Sequence, residues 1–353
     1  MTAVAAVAPK PSPLSVEPVQ DGAAWDGYVA RHPGASACHA FAWRGVIAKA
    51  FGHDTRYLAA TSADGISGVL PLVLFRSRIF GRFVVSMPFL NYGGVLADSP
   101  EAETALLAAA MEETRRAGAQ DLELRHTCQM FPRLQAKRHK VAMDVALLTS
   151  EEAQWQAIDR KVRNQVRKGQ KSGLHVALGG AELLDAFYAV FARNMRDLGT
   201  PVYGIRWFGE VLTAFRDASR LFVVYSGPQP VAASLVLWHR GTIEVPWASA
   251  LREFNPLCAN VFLYWEMFRF AVARGFERFD LGRSTPGEGT FHFKRQWGAE
   301  PRDLVWEYWT ADGGTLPNLS PTNPRFSAAI QAWRHLPVPV TTWLGPRLVA
   351  NIP

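Results

Sequence analysis

The hydrophobic and polar positions of this chain run through one order of elements twice. Between residues 57 and 125, YLAA, GISGVLPLVLFRS and RFVVSMPFLNYGG read as strands, EAETALLAAAMEETRRAGA as an amphipathic helix, and DLELRHT as a closing strand. Between residues 221 and 284 the order returns: LFVVYS, QPVAASLVLWHRG, TIEVPWASA, the helix CANVFLYWEMFRFAVARGF, then ERFDLGRS. Each half turns at a glycine-containing connector, crosses over a long helix and ends on a short hydrophobic strand. A repeated α/β unit of this size predicts tandem domains. One unit can then keep the chemistry while the other shapes a cleft.

Other elements frame the repeat. The pattern predicts a folded start near Trp25, helices over Trp25–Ala30 and Ala35–Phe51, and Ala42, Val46 and Ile47 on the second helix's apolar face. Glu101 and Glu103 in the first turn and Arg115 and Arg116 in the last suit the dipole of the next helix, which Gly118 ends. A basic connector, 125–140, leads to the strand VAMDVALLT and a helix over Trp155–Lys168. A strand over Leu174–Leu178 and helices over Ala181–Leu198 and Arg206–Phe215 precede the second repeat. After it come the strand DLVWEYWT, a loop over 311–325, a helix over Pro324–Trp333 and a Pro-rich end. The division expected is a disordered lead at 1–22, a first domain at 23–150, a second at 151–345 with the active cleft, and a tail at 346–353.

The 353 residues are enough for two cores, and 48% hydrophobic with 20% charged residues is a folded composition. A formal charge of +7 fits phosphate-bearing substrates or anionic surfaces without requiring nucleic acid. Cys38, Cys128 and Cys258 form no CxxC pair, so a reducing compartment is expected. No apolar run reaches membrane-spanning length, and the N-terminus lacks the basic and apolar regions of a signal peptide. The expected location is cytoplasmic, with peripheral contact at the inner face of the membrane left open. The histidines have no metal-ligand spacing.

Three segments can carry chemistry. Arg160, Lys161, Arg163, Arg167, Lys168 and Lys171 occur with no acidic residue from 160 to 175, a helix face that either binds phosphates or is simply solvated. In FDLGRSTPGEGTFHFKRQWG, Asp280 sits in an apolar strand end, with Arg283, Ser284 and Lys294 close behind. The carboxylate could deprotonate an attacking amine and Lys294 could stabilise an acyl oxyanion; a structural ion pair with Arg283 and an exposed lysine explain the pattern equally well. Glu244, Trp247, Asn260 and Tyr264 cluster where the last meander strand meets the crossover helix, as a cleft or as sheet and core. Asn91 and Tyr92 in SMPFLNYGG mark a substrate-facing bend or a capped turn. Neither a P-loop nor a dinucleotide fingerprint is present.

Taken together, FAWRGVIAKAFGH, SMPFLNYGG, KVRNQVRKGQKSG, FYAVFARNMRDLGTPVYG and DLGRSTPGEGTFHFKRQWG resemble the FemAB-like proteins of the GNAT superfamily. Within these, the chain looks like the FemAB-related proteins of PEP-CTERM/exosortase systems. The resemblance spans roughly residues 25–310. It implies an α/β (α+β) fold of tandem GNAT-like acyltransferase domains with mixed, mostly antiparallel sheets. It also implies acyl transfer to an amine: a small molecule or a lipid-linked precursor for the cell envelope or an exopolysaccharide. Phe293, Lys294 and Gly298 match the family's FxxxxG element, and Lys294 would steady the acyl-transfer transition state or the donor phosphate. With the residue reading above, the expected catalytic set is Asp280, Lys294 and Glu244; substrate would meet Arg283, Ser284, Tyr264, Asn260, Trp247, Asn91 and Tyr92. No tightly bound cofactor and no metal is expected, and the donor is aminoacyl-tRNA, acyl-CoA or acyl-carrier protein. REFNPLCA stands where acetyl-CoA-dependent relatives carry their pyrophosphate loop, and the coiled-coil arm of some members is missing. The alternative is a noncatalytic envelope-assembly or nucleic-acid-binding protein that retains only the cleft.

Overall fold

The computed structural model describes residues 14–77, 80–314 and 324–352. In chain order the first half holds β1 (Ser15–Pro18), α1 (Gly22–Arg31), α2 (Trp43–Phe51), β2 (Asp54–Ser62), β3 (Gly65–Ser77), β4 (Gly81–Val85), β5 (Leu96–Ala97), α3 (Pro100–Arg116), β6 (Asp121–His126) and β7 (Gln135–Lys137). There follow β8 (Val141–Ala146), α4 (Glu151–Ala157), α5 (Arg160–Lys171), β9 (Leu174–Gly179), α6 (Leu184–Leu198), α7 (Ile205–Ala214), β10 (Ser219–Ser226), β11 (Gln229–His239) and β12 (Thr242–Ala250). The chain ends with α8 (Ala259–Ala273), β13 (Arg278–Ser284), α9 (Gly289–Arg295), β14 (Glu300–Asp303), β15 (Val305–Thr310), α10 (Pro324–Arg334) and α11 (Val338–Val349).

Two mixed, mostly antiparallel sheets result. One runs β1-β2-β3-β4-β6-β15-β7, with β5 on β3; the other runs β14-β8-β13-β12-β11-β10-β9. In each sheet one pair is parallel, β4 with β6 and β12 with β13. A parallel pair needs a long crossover, which is why each repeat carries its helix, α3 or α8, between those strands. The duplicated order legible in the sequence is therefore one topology built twice.

Two strands leave their own half. β15 lies between β6 and β7 in the first sheet, and β8 lies between β13 and β14 in the second. Strand 141–146, expected in the first domain, thus pairs in the second sheet, and strand 305–310 does the reverse. Alternation along a strand fixes which face is buried but not which edge it joins.

Three cores follow. Leu106 and Ala110 of α3 pack on Leu70, Leu72, Leu122 and Leu124 of the first sheet. Val162 and Val166 of α5 and Phe262, Leu263 and Phe268 of α8 cover one face of the second. Between the halves, Trp25, Trp43, Trp207, Phe208 and Trp247 join both sheets in one apolar mass.

Several local expectations change. The fold begins before Trp25: β1 pairs with β2, and the Asp21 carboxylate caps α1. The helix expected from Ala35 starts only at Trp43, after a single turn capped by Ser36 and His39. The helix expected over Trp155–Lys168 breaks at Ile158, and Asp159 caps α5 through the Lys161 N–H at 2.6 Å. SMPFLNYGG is loop from Ser86 on, with Met87 and Phe89 at φ 48° and 69°. The expected tail is the end of α11, where Gly345 lies against Val202. Residues 1–13 of the expected disordered lead and 315–323 of the expected loop lie outside the described residues.

Candidate active site

The second sheet carries carboxylates on its inner face. Met143 and Val145, Ile243 and Val245, and Phe279 and Leu281 pack into the core beneath α8. Strand alternation therefore turns Asp144, Glu244 and Asp280 to the other side. Register places Glu244 beside Asp280 and Asp280 beside Asp144. The three line a cavity of about 410 Å³. Its walls come from the first half: residues 32–37 and His39, Tyr92–Ala97, and Arg125–Cys128.

β12 and β13 pair only from Thr242–Arg278 to Glu244–Asp280, although they run on to Ala250 and Ser284. Each strand bulges where the pairing stops. Val245 and Pro246 stand against the single Val236, and Leu281 and Gly282 against the single Met143. Pro246 has no N–H to lose there, which is why a strand proline is tolerated. Gly282 sits at φ 74°, and a Cβ on it would lie 3.1 Å from the Val245 carbonyl oxygen. The Lys294 ammonium donates to the Gly282 and Arg283 carbonyls at 3.1 and 2.9 Å, satisfying acceptors that the bulge strips of sheet partners.

The carboxylates titrate unlike one another. Asp280 accepts from the Tyr92 hydroxyl at 2.6 Å and from the Gly282 N–H at 2.7 Å. Burial, then the charge of Asp144, still lift its pKa to about 6. Burial, then Asp280, then Asp144 push Glu244 well above the carboxylate range. The Cys38 thiol donates to its Oε1, with Sγ 4.0 Å away. Asp144 pairs with Arg302 at 2.9 Å through Oδ2, while its buried Oδ1 has no partner. Burial lowers Lys294 to about 8, against the raising effect of Asp280. The site thus offers a carboxylate poised near neutrality, a neighbour that keeps its proton, and an unpartnered carboxylate oxygen.

His126 and Glu307 are fully engaged in structure. His126 Nδ1 donates to Glu307 at 2.7 Å, its Nε2 accepts from the Val95 N–H at 3.0 Å, and Glu307 also accepts from the Met130 and Phe131 N–H groups. A Cβ on Gly94 would fall 2.0 Å from the His126 ring. This bond set fixes the loop that delivers Tyr92.

The residues singled out in the sequence scatter. Asp280, Glu244 and Tyr92 meet in the cavity. Lys294 is tied to backbone and does not line the cavity, and the Lys294 ammonium and Asn91 amide lie 3.9 and 3.5 Å from where a Gly282 Cβ would be. Arg283 projects over Trp306 at 5.4 Å. Ser284 is buried with its hydroxyl unpartnered. Tyr264 does not face a cleft: it packs edge-on against Phe293 and stacks on Trp297. Trp247 packs edge-on against Trp207 and Phe208. Asn260 is half-buried on α8, away from the cavity lining. On α5, Arg163 is spent on the Trp155 and Gln156 carbonyls and Arg167 on Asn164 and the Trp155 ring. Arg160, Lys161, Lys168 and Lys171 remain exposed, the first three along a groove with Asn164 and Gln165. The sequence reading missed Asp144 and Arg302. The signal for Asp144 was present, since it interrupts an apolar strand as Asp280 does.

Residues 157–295 match the family described as Acetyltransferase (GNAT) domain. No curated protein matches the chain by sequence. Among solved structures, FemX is similar at a TM-score of 0.65 and 14% identity, over 83% of this chain and 96% of that one. A tandem GNAT protein from the clavulanic acid biosynthesis pathway is similar at 0.56 and 13% identity, over 86% and 100%. L-PGS from Bacillus licheniformis is similar at 0.52 and 11% identity, over 94% and 99%. Residues 157–295 thus match a GNAT acetyltransferase domain, set within a chain whose topology is built twice. Its fold is that of FemX.

Proposed function

We propose that the protein transfers an acyl or aminoacyl group to an amine on a cell-envelope or exopolysaccharide-related acceptor, in the manner of the PEP-CTERM-associated FemAB-like proteins it resembles. The observation that carries this reading is the carboxylate row at the point where β12 and β13 part. A substrate amine meets Asp280, beside the Asp144 carboxylate. A donor chain enters the opening where β12 and β13 no longer pair with each other.

The chemistry then runs in order. The amine nitrogen bonds to the acyl carbon, and the ester or thioester bond breaks. As the N–C bond forms, the nitrogen's acidity rises, and its proton passes to Asp280, whose pKa near 6 suits the transfer. Asp280 then passes that proton to the leaving oxygen or sulfur, which departs as an alcohol or thiol and leaves the carboxylate ionised again. Tyr92 orients Asp280. Lys294 holds the bulge through the Gly282 and Arg283 carbonyls and so keeps β12 and β13 apart beside Asp280. The exposed cations of α5 meet phosphates of a tRNA or coenzyme donor or of a lipid-linked acceptor.

Intact-mass analysis of amine acceptors incubated with aminoacyl-tRNA, acyl-CoA or acyl-carrier-protein donors tests this. A donor-dependent mass increase that falls by 100-fold or more, roughly, in Asp280→Asn is expected. Undiminished transfer by that variant would remove Asp280 from the chemistry.

A further inference from the structure

A second charged constellation adjoins the cavity on its first-sheet wall. Trp306 of β15 is its centre, and register sets Arg125 of β6 on one side and Lys137 of β7 on the other. The Arg125 and Arg283 guanidinium groups lie 4.2 and 5.4 Å from the indole centroid. His139 meets the indole edge-on at 5.9 Å. Lys137 stands 4.8 Å over Tyr308, and Lys140 donates to the Thr285 hydroxyl. Two sheets and the loop at 138–140 thus deliver five basic groups to one spot.

Countercharge is scarce there. Among the described residues only Arg125 has a carboxylate within ion-pair range, Glu123 at 2.7 Å. Partial burial, then Lys140, Lys137 and Arg283 push the His139 pKa down, with Glu123 opposing. Partial burial and Arg283 do the same to Lys140, with Glu288 opposing. Free surface cations would splay apart; these are held together by rings and a hydroxyl. Such an arrangement is relieved by an anion with several oxygens.

We propose that Arg283, Lys137, His139 and Lys140 bind a phosphate or diphosphate group of the substrate acylated at this site. Arg125 lines the acidic cavity and also abuts this cluster. One molecule can therefore place an amine at Asp280 and its phosphate beside Arg283. Naming the ligand as part of the acceptor rests on the acyl-transfer reading; the anion site itself does not.

Titration calorimetry of the full chain with inorganic pyrophosphate at low salt tests the site. One saturable site is expected, weakened about tenfold in Arg283→Ala and in Lys140→Ala and unchanged in Arg116→Ala. Binding takes up protons, because the anion raises His139; heats in buffers of different ionisation enthalpy reveal this, and His139→Gln abolishes it. Arg283→Lys recovers part of the affinity, which a merely structural role would not predict. Competition by a nucleoside diphosphate or by a polyprenyl diphosphate in detergent tells which carrier the site prefers. Absence of pyrophosphate binding, or equal affinity in Arg283→Ala and Lys140→Ala, overturns the proposal. Binding without acyl transfer to any acceptor would sink the functional reading and leave the anion site standing. Transfer without binding would do the opposite.

Discussion

Asp280 accepts two hydrogen bonds that favour its ionised form, yet burial and Asp144 win and its pKa rises to about 6. Two consequences follow at this scale. Transfer activity should climb with pH through about 6 as Asp280 ionises, and decline above about 8 as Lys294 loses its proton. A pH–rate profile of kcat/KM checks both limbs, and Asp280→Asn should erase the lower one. Stability moves with opposite sign to activity on the acid side. A carboxylate whose folded pKa exceeds its unfolded value of about 4 contributes fully below that value and loses its contribution as pH rises through about 6. Thermal unfolding followed from pH 4 to 8 should show this loss, reduced in Asp280→Asn. Lys294→Met leaves the Gly282 and Arg283 carbonyls without their donor and should cost about 1–3 kcal/mol, read from denaturant midpoints.

The paired bulges of β12 and β13 make the opening, and glycine is what permits the second of them. Gly282→Ala combines left-handed backbone with an approach of 3.1 Å to the Val245 oxygen. It should destabilise by about 1–3 kcal/mol and reduce transfer more than binding of the acceptor. Equal activity at equal folded fraction would show that the opening tolerates a side chain. The basic helix makes a contrasting prediction. Lys161→Glu with Lys168→Glu, on exposed positions, should leave stability within about 0.5 kcal/mol while flattening the salt dependence of transfer from an aminoacyl-tRNA donor. At this scale the sequence was informative about helix faces and poor about breaks. Nothing in the periodicity of 155–168 marked Ile158 as an end, because Asp159 acts as a cap only once the chain turns there. Tyr264 and Trp247 misled for a related reason: a large amphipathic ring near a cleft and one inside a core look alike until the neighbouring aromatics are placed.

At the scale of the molecule, β15 and β8 interlock the halves. β15 fills the place between β6 and β7 and supplies Glu307 to His126 and Trp306 to the cation cluster. A chain ending at Asp303 should therefore lose the first sheet as well as its own terminus. Limited proteolysis would then find cleavage within residues 121–137, whereas protection there would mean the halves fold independently.

The sequence by itself determined the duplicated order of strands and helices, the helix that each parallel pair requires, and the strand carboxylates Asp280 and Glu244, because alternation and helical period are local properties of the chain. Only the tertiary structure decided that Asp144 joins them and that Tyr92 crosses from the first half to Asp280. It also decided that Lys294 turns to backbone and that Arg283 gathers with Lys140 and His139. Those outcomes depend on which sheet edge a strand joins and where a bulge falls. Both are set by competition among distant segments for the same pairing and the same burial.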